Sequence, residues 1–108
     1  MIEGWTRALV LAPHTDDGEF GCGGTMARLV EAEIDVRYVA FSIATKSLPS
    51  GFPPDTLARE VRAATAEIGI PEGNLIVQDF EVRAFPDHRQ AILELLIALW
   101  EEWKPDAV

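Results

Sequence analysis

The chain has 108 residues, with an apolar content of 48%, enough for a hydrophobic core and too much for a disordered segment. Its formal charge of −9, from 18 acidic and 9 basic residues, excludes a nucleic-acid or anionic-membrane surface as its main partner, since both need a basic face. The single cysteine, Cys22, rules out an intrachain disulfide and predicts a reducing, cytoplasmic home. Met1 to Arg7 lacks the basic start and long apolar run of a signal peptide, and no stretch reaches the ~18 apolar residues of a membrane span.

In chain order, residues 7–12 carry a short continuous apolar run (Ala8 to Ala12), the pattern of a strand buried on both faces. His14 to Gly24 reads as a polar, glycine-rich turn. Met26, Leu29, Val30 and Ile34 then recur at helical spacing, which predicts a helix over 24–33. Residues 36–43 are β-branched and aromatic and read as a second strand. A loop rich in proline follows from Ala44 to Pro54. Asp55 is a candidate N-cap for a helix over 55–68, which Gly69 and Pro71 terminate. A third strand is expected over 74–78. The longest helix is expected over 87–103, opened by Asp87 with Gln90 in capping-box spacing, and burying Ile92, Leu95, Leu96, Leu99 and Trp103. Asp106 to Val108 resembles the start of a fourth strand.

This β-α-β-α-β-α-(β) order predicts an α/β, Rossmann-like three-layer fold with a mostly parallel sheet, apparently truncated at its fourth strand. With the last strand unfinished, apolar surface from Leu96, Trp100 or Trp103 is expected to be exposed, and so either covered by a partner chain or a cause of poor solubility.

The segment with chemical content is His14-Thr15-Asp16-Asp17-Gly18-Glu19, at the carboxyl end of the first strand, where open α/β sheets bind ligands. Imidazole nitrogen and carboxylate oxygen are both good zinc ligands, and adjacent aspartates can divide the work, one binding metal and the other facing the attacking water. Gly21, Gly23 and Gly24 are expected to give a sharp turn and a close backbone approach. Their spacing is neither G-x-G-x-x-G nor a phosphate loop, which weakens nucleotide binding. With no lysine or arginine between His14 and Gly24, phosphate-ester hydrolysis is also disfavoured.

The stretch strongly resembles the (A/S)-H-P-D-D-x-E-x-x-x-G-G signature of the LmbE-like, or PIG-L, deacetylases, through His14, Asp16, Asp17, Glu19, Gly23 and Gly24. Thr15 stands where proline is usual, and Pro13 replaces the small residue before the histidine. The resemblance implies that residues 1–108 are the N-terminal part of one deacetylase domain, and that the substrate is a small N-acetylglucosamine-containing conjugate. It further implies Zn²⁺ as cofactor, His14 and Asp17 as metal ligands, and Asp16 as general base. The third ligand of the family lies in a later H-x-D-H motif that this sequence does not contain, so the complete site is expected to need residues from elsewhere, and this fragment alone is expected to be inactive. Glu19 is open to two roles, a carboxylate at the helix dipole or a support beside the metal. Cys22 is expected to be a small buried residue and His88 a surface one. The competing class is a non-catalytic Rossmann-like binding or regulatory domain.

Overall fold

A computed structural model describes residues 3–108. Met1 and Ile2, the start of the segment read as carrying no signal peptide, lie outside the described residues. The elements in order are β1 (Arg7–His14), α1 (Asp17–Glu31), β2 (Asp35–Ser42), α2 (Thr56–Ile68), β3 (Leu75–Val77) and α3 (Arg89–Trp103), with short 3-10 turns before α2, β3 and α3. The sheet is parallel throughout, in the order β1-β2-β3, with Leu9 opposite Arg37 and Val39 opposite Ile76. On the free side of β1, Ala8 makes a parallel bridge to Ala107, held by Leu9 N–H to the Ala107 carbonyl at 2.9 Å and Asp106 N–H to the Arg7 carbonyl at 2.8 Å. Ala8 therefore has Val36 on one edge and Ala107 on the other. The spatial order is β3-β2-β1 and then the residues around Ala107.

Two-residue periodicity along the strands divides the core in two. Ala8, Ala12, Val36, Tyr38 and Ala40 face one side, where Met26 and Leu29 of α1 and Val61 of α2 close over them. Leu9, Val39 and Phe41 face the other, against Leu99 and Trp103 of α3. Helices thus cover both faces of the sheet, as buried parallel strands require. Among the described residues, no helix is long and apolar enough to cross a membrane.

Gly69 ends α2 at φ 99°, the left-handed C-terminal position where glycine carries no Cβ penalty. Asp55 precedes α2 but makes no capping bond; its carboxylate pairs instead with Arg59 at 3.2 Å. α3 starts at Arg89, not Asp87, because residues 82–88 wind as a 3-10 segment around Pro86. The expected capping box is not formed, and Gln90 bonds to Glu94 one turn on. The Asp106 carboxylate accepts the N–H groups of Thr6 and Arg7, and these bonds hold it below the usual carboxylate range.

On the outer face of α3, Leu93, Ile97 and Trp100 are exposed, Trp100 by 55%, whereas Trp103 is buried under the sheet with the Arg37 guanidinium 4.6 Å above its ring. Leu96 is half-buried against the sheet. Trp103→Ala is accordingly expected to cost about 3–5 kcal/mol. Trp100→Ala should stay within about 0.5 kcal/mol. Urea denaturation of the two variants checks the contrast, and equal losses would contradict the burial assignment.

Candidate metal and catalytic site

β1 ends at His14, whose Cα pairs with Ser42 at the end of β2. The neighbours of β1 are β2 on one side, reached through α1, and the residues around Ala107 on the other, reached through α3 on the opposite face. The chain reverses its direction of winding at β1, which makes its carboxyl end a topological switch point, the place where open α/β sheets form their ligand crevice.

Two of the three candidate residues are in contact there. His14 and Asp17 are directly joined: Nδ1 lies 2.8 Å from Asp17 Oδ2, and the His14 backbone N–H donates to the same oxygen at 2.9 Å. Both side chains are partly exposed, 35% and 44%, so they are open to an incoming ion. Asp16 is exposed and occupies the N-cap position of α1, yet its side chain makes no capping bond. Between them Thr15, in the place of the usual proline, is buried. The donors are of the right chemistry for zinc, one imidazole and one carboxylate brought within contact of each other. Among the described residues, no group of three or more such side chains comes together.

α1 begins at Asp17, seven residues before the predicted start. The glycine-rich turn expected from His14 to Gly24 is helix over most of its length, interrupted by one non-helical residue, Cys22, at φ −148°. Gly21, Gly23 and Gly24 have no positive φ, and a Cβ on any of them would meet open space, so the sharp turn and close approach assigned to them are not theirs. The glycine that does allow a close approach is Gly18. A Cβ there would stand 2.2 Å from Tyr38 Cε2. Tyr38 rises from the middle of β2, fully buried, and its hydroxyl accepts the Gly18 N–H at 3.2 Å. Sequence reasoning missed both residues. The available signal was a tyrosine inside an otherwise apolar buried strand, since a buried phenol needs a partner for its hydroxyl.

Glu19 lies one residue further along α1, with Oε1 buried and making no hydrogen bond. Burial first, and then the Glu19 carboxylate, push the Tyr38 phenol well above its usual range. Burial and the same carboxylate also raise the Cys22 thiol, which is half-buried and free. Glu19 thus faces the interior behind the site.

A cleft of about 310 Å³ opens along the carboxyl ends of β2 and β3. Ser42, Thr45 and Lys46 line one side and Phe80, Glu81 and Arg83 the other, and Lys46 Nζ bonds to Glu81 Oε1 across it at 2.9 Å. The first part of the loop expected to shape a pocket, Ala44 to Ser47, does line it. His14, Asp16 and Asp17 are not in its walls; His14 adjoins it through its strand partner Ser42, and the His14 ring stacks on Phe85 with centroids 6.4 Å apart. The volume is at the lower end of that of small-molecule sites. His88 is exposed, with its ring 5.6 Å from that of Phe80.

The fold is similar to that of N,N'-diacetylchitobiose deacetylase from Pyrococcus horikoshii, with a TM-score of 0.78 over 97% of this chain and 40% of that one, at 20% identity. It is also similar to a conserved protein from Thermus thermophilus, with a TM-score of 0.70 over 88% of this chain and 41% of that one, at 26% identity. The chain therefore spans about 40% of the length of either solved structure. No protein of curated function matches it at a significant level. A family model described as PIG-L, GlcNAc-PI de-N-acetylase, matches residues 9–108, from the second residue of the first apolar run to the last residue of the chain. The chain belongs to the PIG-L family.

Proposed function

We propose that this chain carries part of the active site of a zinc-dependent amidohydrolase that removes the N-acetyl group from a small N-acetylglucosamine-containing conjugate. The observation that carries the reading is the contact of His14 with Asp17 at the switch point, with Asp16 beside them and free of the helix it precedes. Membership of the PIG-L family and the likeness to a chitobiose deacetylase favour the acetylated amino sugar as substrate class.

His14 and Asp17 would hold the metal. When bound, zinc supplies Lewis acidity to the amide carbonyl and to the attacking water, whose pKa falls from about 15.7 toward about 7. Hydrolysis needs a base for that water, and Asp16 serves as acceptor of its proton. Asp17 cannot do both, because a carboxylate committed to a cation has lost the basicity a proton acceptor needs. A catalytic zinc site takes three protein ligands. The third ligand and the acid that protonates the leaving amine belong, in this reading, to the part of the relatives' length that this chain does not span. The cleft between Lys46 and Arg83 is the place for the sugar, reached from the metal side past Ser42. A cytoplasmic setting agrees with one unpaired cysteine.

The test is acetate release from an N-acetylglucosamine conjugate by the protein with its full ligand set. Release is expected with zinc, is lost on chelation, and returns when zinc is restored. Stoichiometric zinc without acetate release from any N-acetylated sugar would favour the non-catalytic binding domain instead.

A further inference from the structure

The first N–H groups of a helix have no partner within it. The usual remedy is an Asp, Asn, Ser or Thr at the N-cap, whose side-chain oxygen accepts from the second or third helical residue. α1 has such a residue in Asp16, but the Asp16 side chain makes no capping bond. The N–H of the second helical residue, Gly18, donates instead to the hydroxyl of Tyr38, a residue of β2 twenty positions away. Tyr38 has no exposed surface, so its ring is fixed by the core between β2 and α1. The phenol reaches the backbone only because position 18 lacks a side chain, as a Cβ would fall 2.2 Å from the ring. Two matched features on separate elements thus produce one bond.

We propose that Tyr38 is a positioning residue that caps α1 in place of Asp16, and thereby leaves the Asp16 carboxylate free for the reacting water. An aspartate folded back to cap a helix aims its lone pairs at backbone N–H groups. It cannot hold that orientation and also face a substrate crevice. A strong N-cap residue next to an uncapped helix therefore has two competing orientations, and the Tyr38 hydroxyl, by taking the Gly18 N–H, leaves Asp16 one fewer donor to turn back for. The proposal rests on the reading of Asp16 as proton acceptor given above.

A double-mutant cycle tests it. In this chain, Asp16→Ala is expected to leave Tm within about 1–2 °C, because no cap bond is lost. In the Tyr38→Phe background Asp16 is free to turn inward and cap, so the same Asp16→Ala should lower Tm by about 4–8 °C. Asp16→Ala alone gives a second reading by amide hydrogen exchange, with Gly18 protection unchanged where Tyr38 provides the cap and lost where Asp16 does. In the protein with its full ligand set, Tyr38→Phe is expected to lower kcat by part of the about 10²–10⁴-fold that a lost base costs. KM and zinc stoichiometry should not change, and no further loss should appear in an Asp16→Asn background. Equal Tm losses in both backgrounds, lost Gly18 protection in Asp16→Ala, or an undiminished kcat in Tyr38→Phe would each overturn the proposal. Full turnover in Asp16→Asn would instead overturn the function on which it rests.

Discussion

Asp16→Asn is expected to keep zinc and lose turnover by about 10²–10⁴-fold, the contribution of a positioned base. The amide is nearly isosteric with the carboxylate but cannot take the water's proton. Asp17→Ala is expected to do the reverse at the first step, weakening zinc by more than the about 10–100-fold typical of losing an outer-shell partner. It removes a ligand, and with it the oxygen that accepts both the His14 Nδ1 and the His14 backbone N–H. Zinc titration and acetate release, measured on both variants in the protein with its full ligand set, separate the two roles. Loss of metal in Asp16→Asn, together with metal and activity retained in Asp17→Ala, would reverse the assignment.

Gly18→Ala is expected to destabilise the chain, although alanine is the better helix former by about 0.8–1.0 kcal/mol. The new methyl would stand 2.2 Å from a ring atom of Tyr38, far inside van der Waals contact. Tyr38 is buried on every side and its hydroxyl is engaged by the Gly18 N–H, so neither ring nor helix can yield cheaply. Overpacking of this sort costs about 1–3 kcal/mol, which outweighs the propensity gain. Gly24→Ala is the control, since a Cβ there meets nothing and the position is exposed helix; it should be neutral or stabilising by up to about 1 kcal/mol. In thermal melts Gly18→Ala should lower Tm and Gly24→Ala should not. A shared direction would mean that the approach of Tyr38 to α1 has been misjudged.

Most of the architecture follows from local signals. The apolar run from Ala8, the β-branched stretch ending near Ser42 and the Leu75–Val77 strand are recognisable because a strand buried on both faces has nowhere to place polar residues. α2 ends where Gly69 takes a left-handed conformation that other residues adopt at a cost, which makes its terminus legible from one position. The contact of His14 with Asp17 is local as well, since the two stand three positions apart at one strand-to-helix turn.

What the tertiary structure decided is where non-local contacts override local preference. Gly18, Gly21, Gly23 and Gly24 are poor helix formers and read as a turn, yet α1 runs through them. Its inner face packs Met26 and Leu29 on the sheet, and its first turn is held by a hydroxyl from β2. Asp55 and Asp87 are good caps by type, but Arg59 takes the first, and the 3-10 turn around Pro86 moves the helix start beyond the second. The cleft joins residues 42–47 to 79–83, segments adjacent only because β2 and β3 pair in one register. Register depends on the summed burial of both sheet faces, and no stretch of sequence contains that sum.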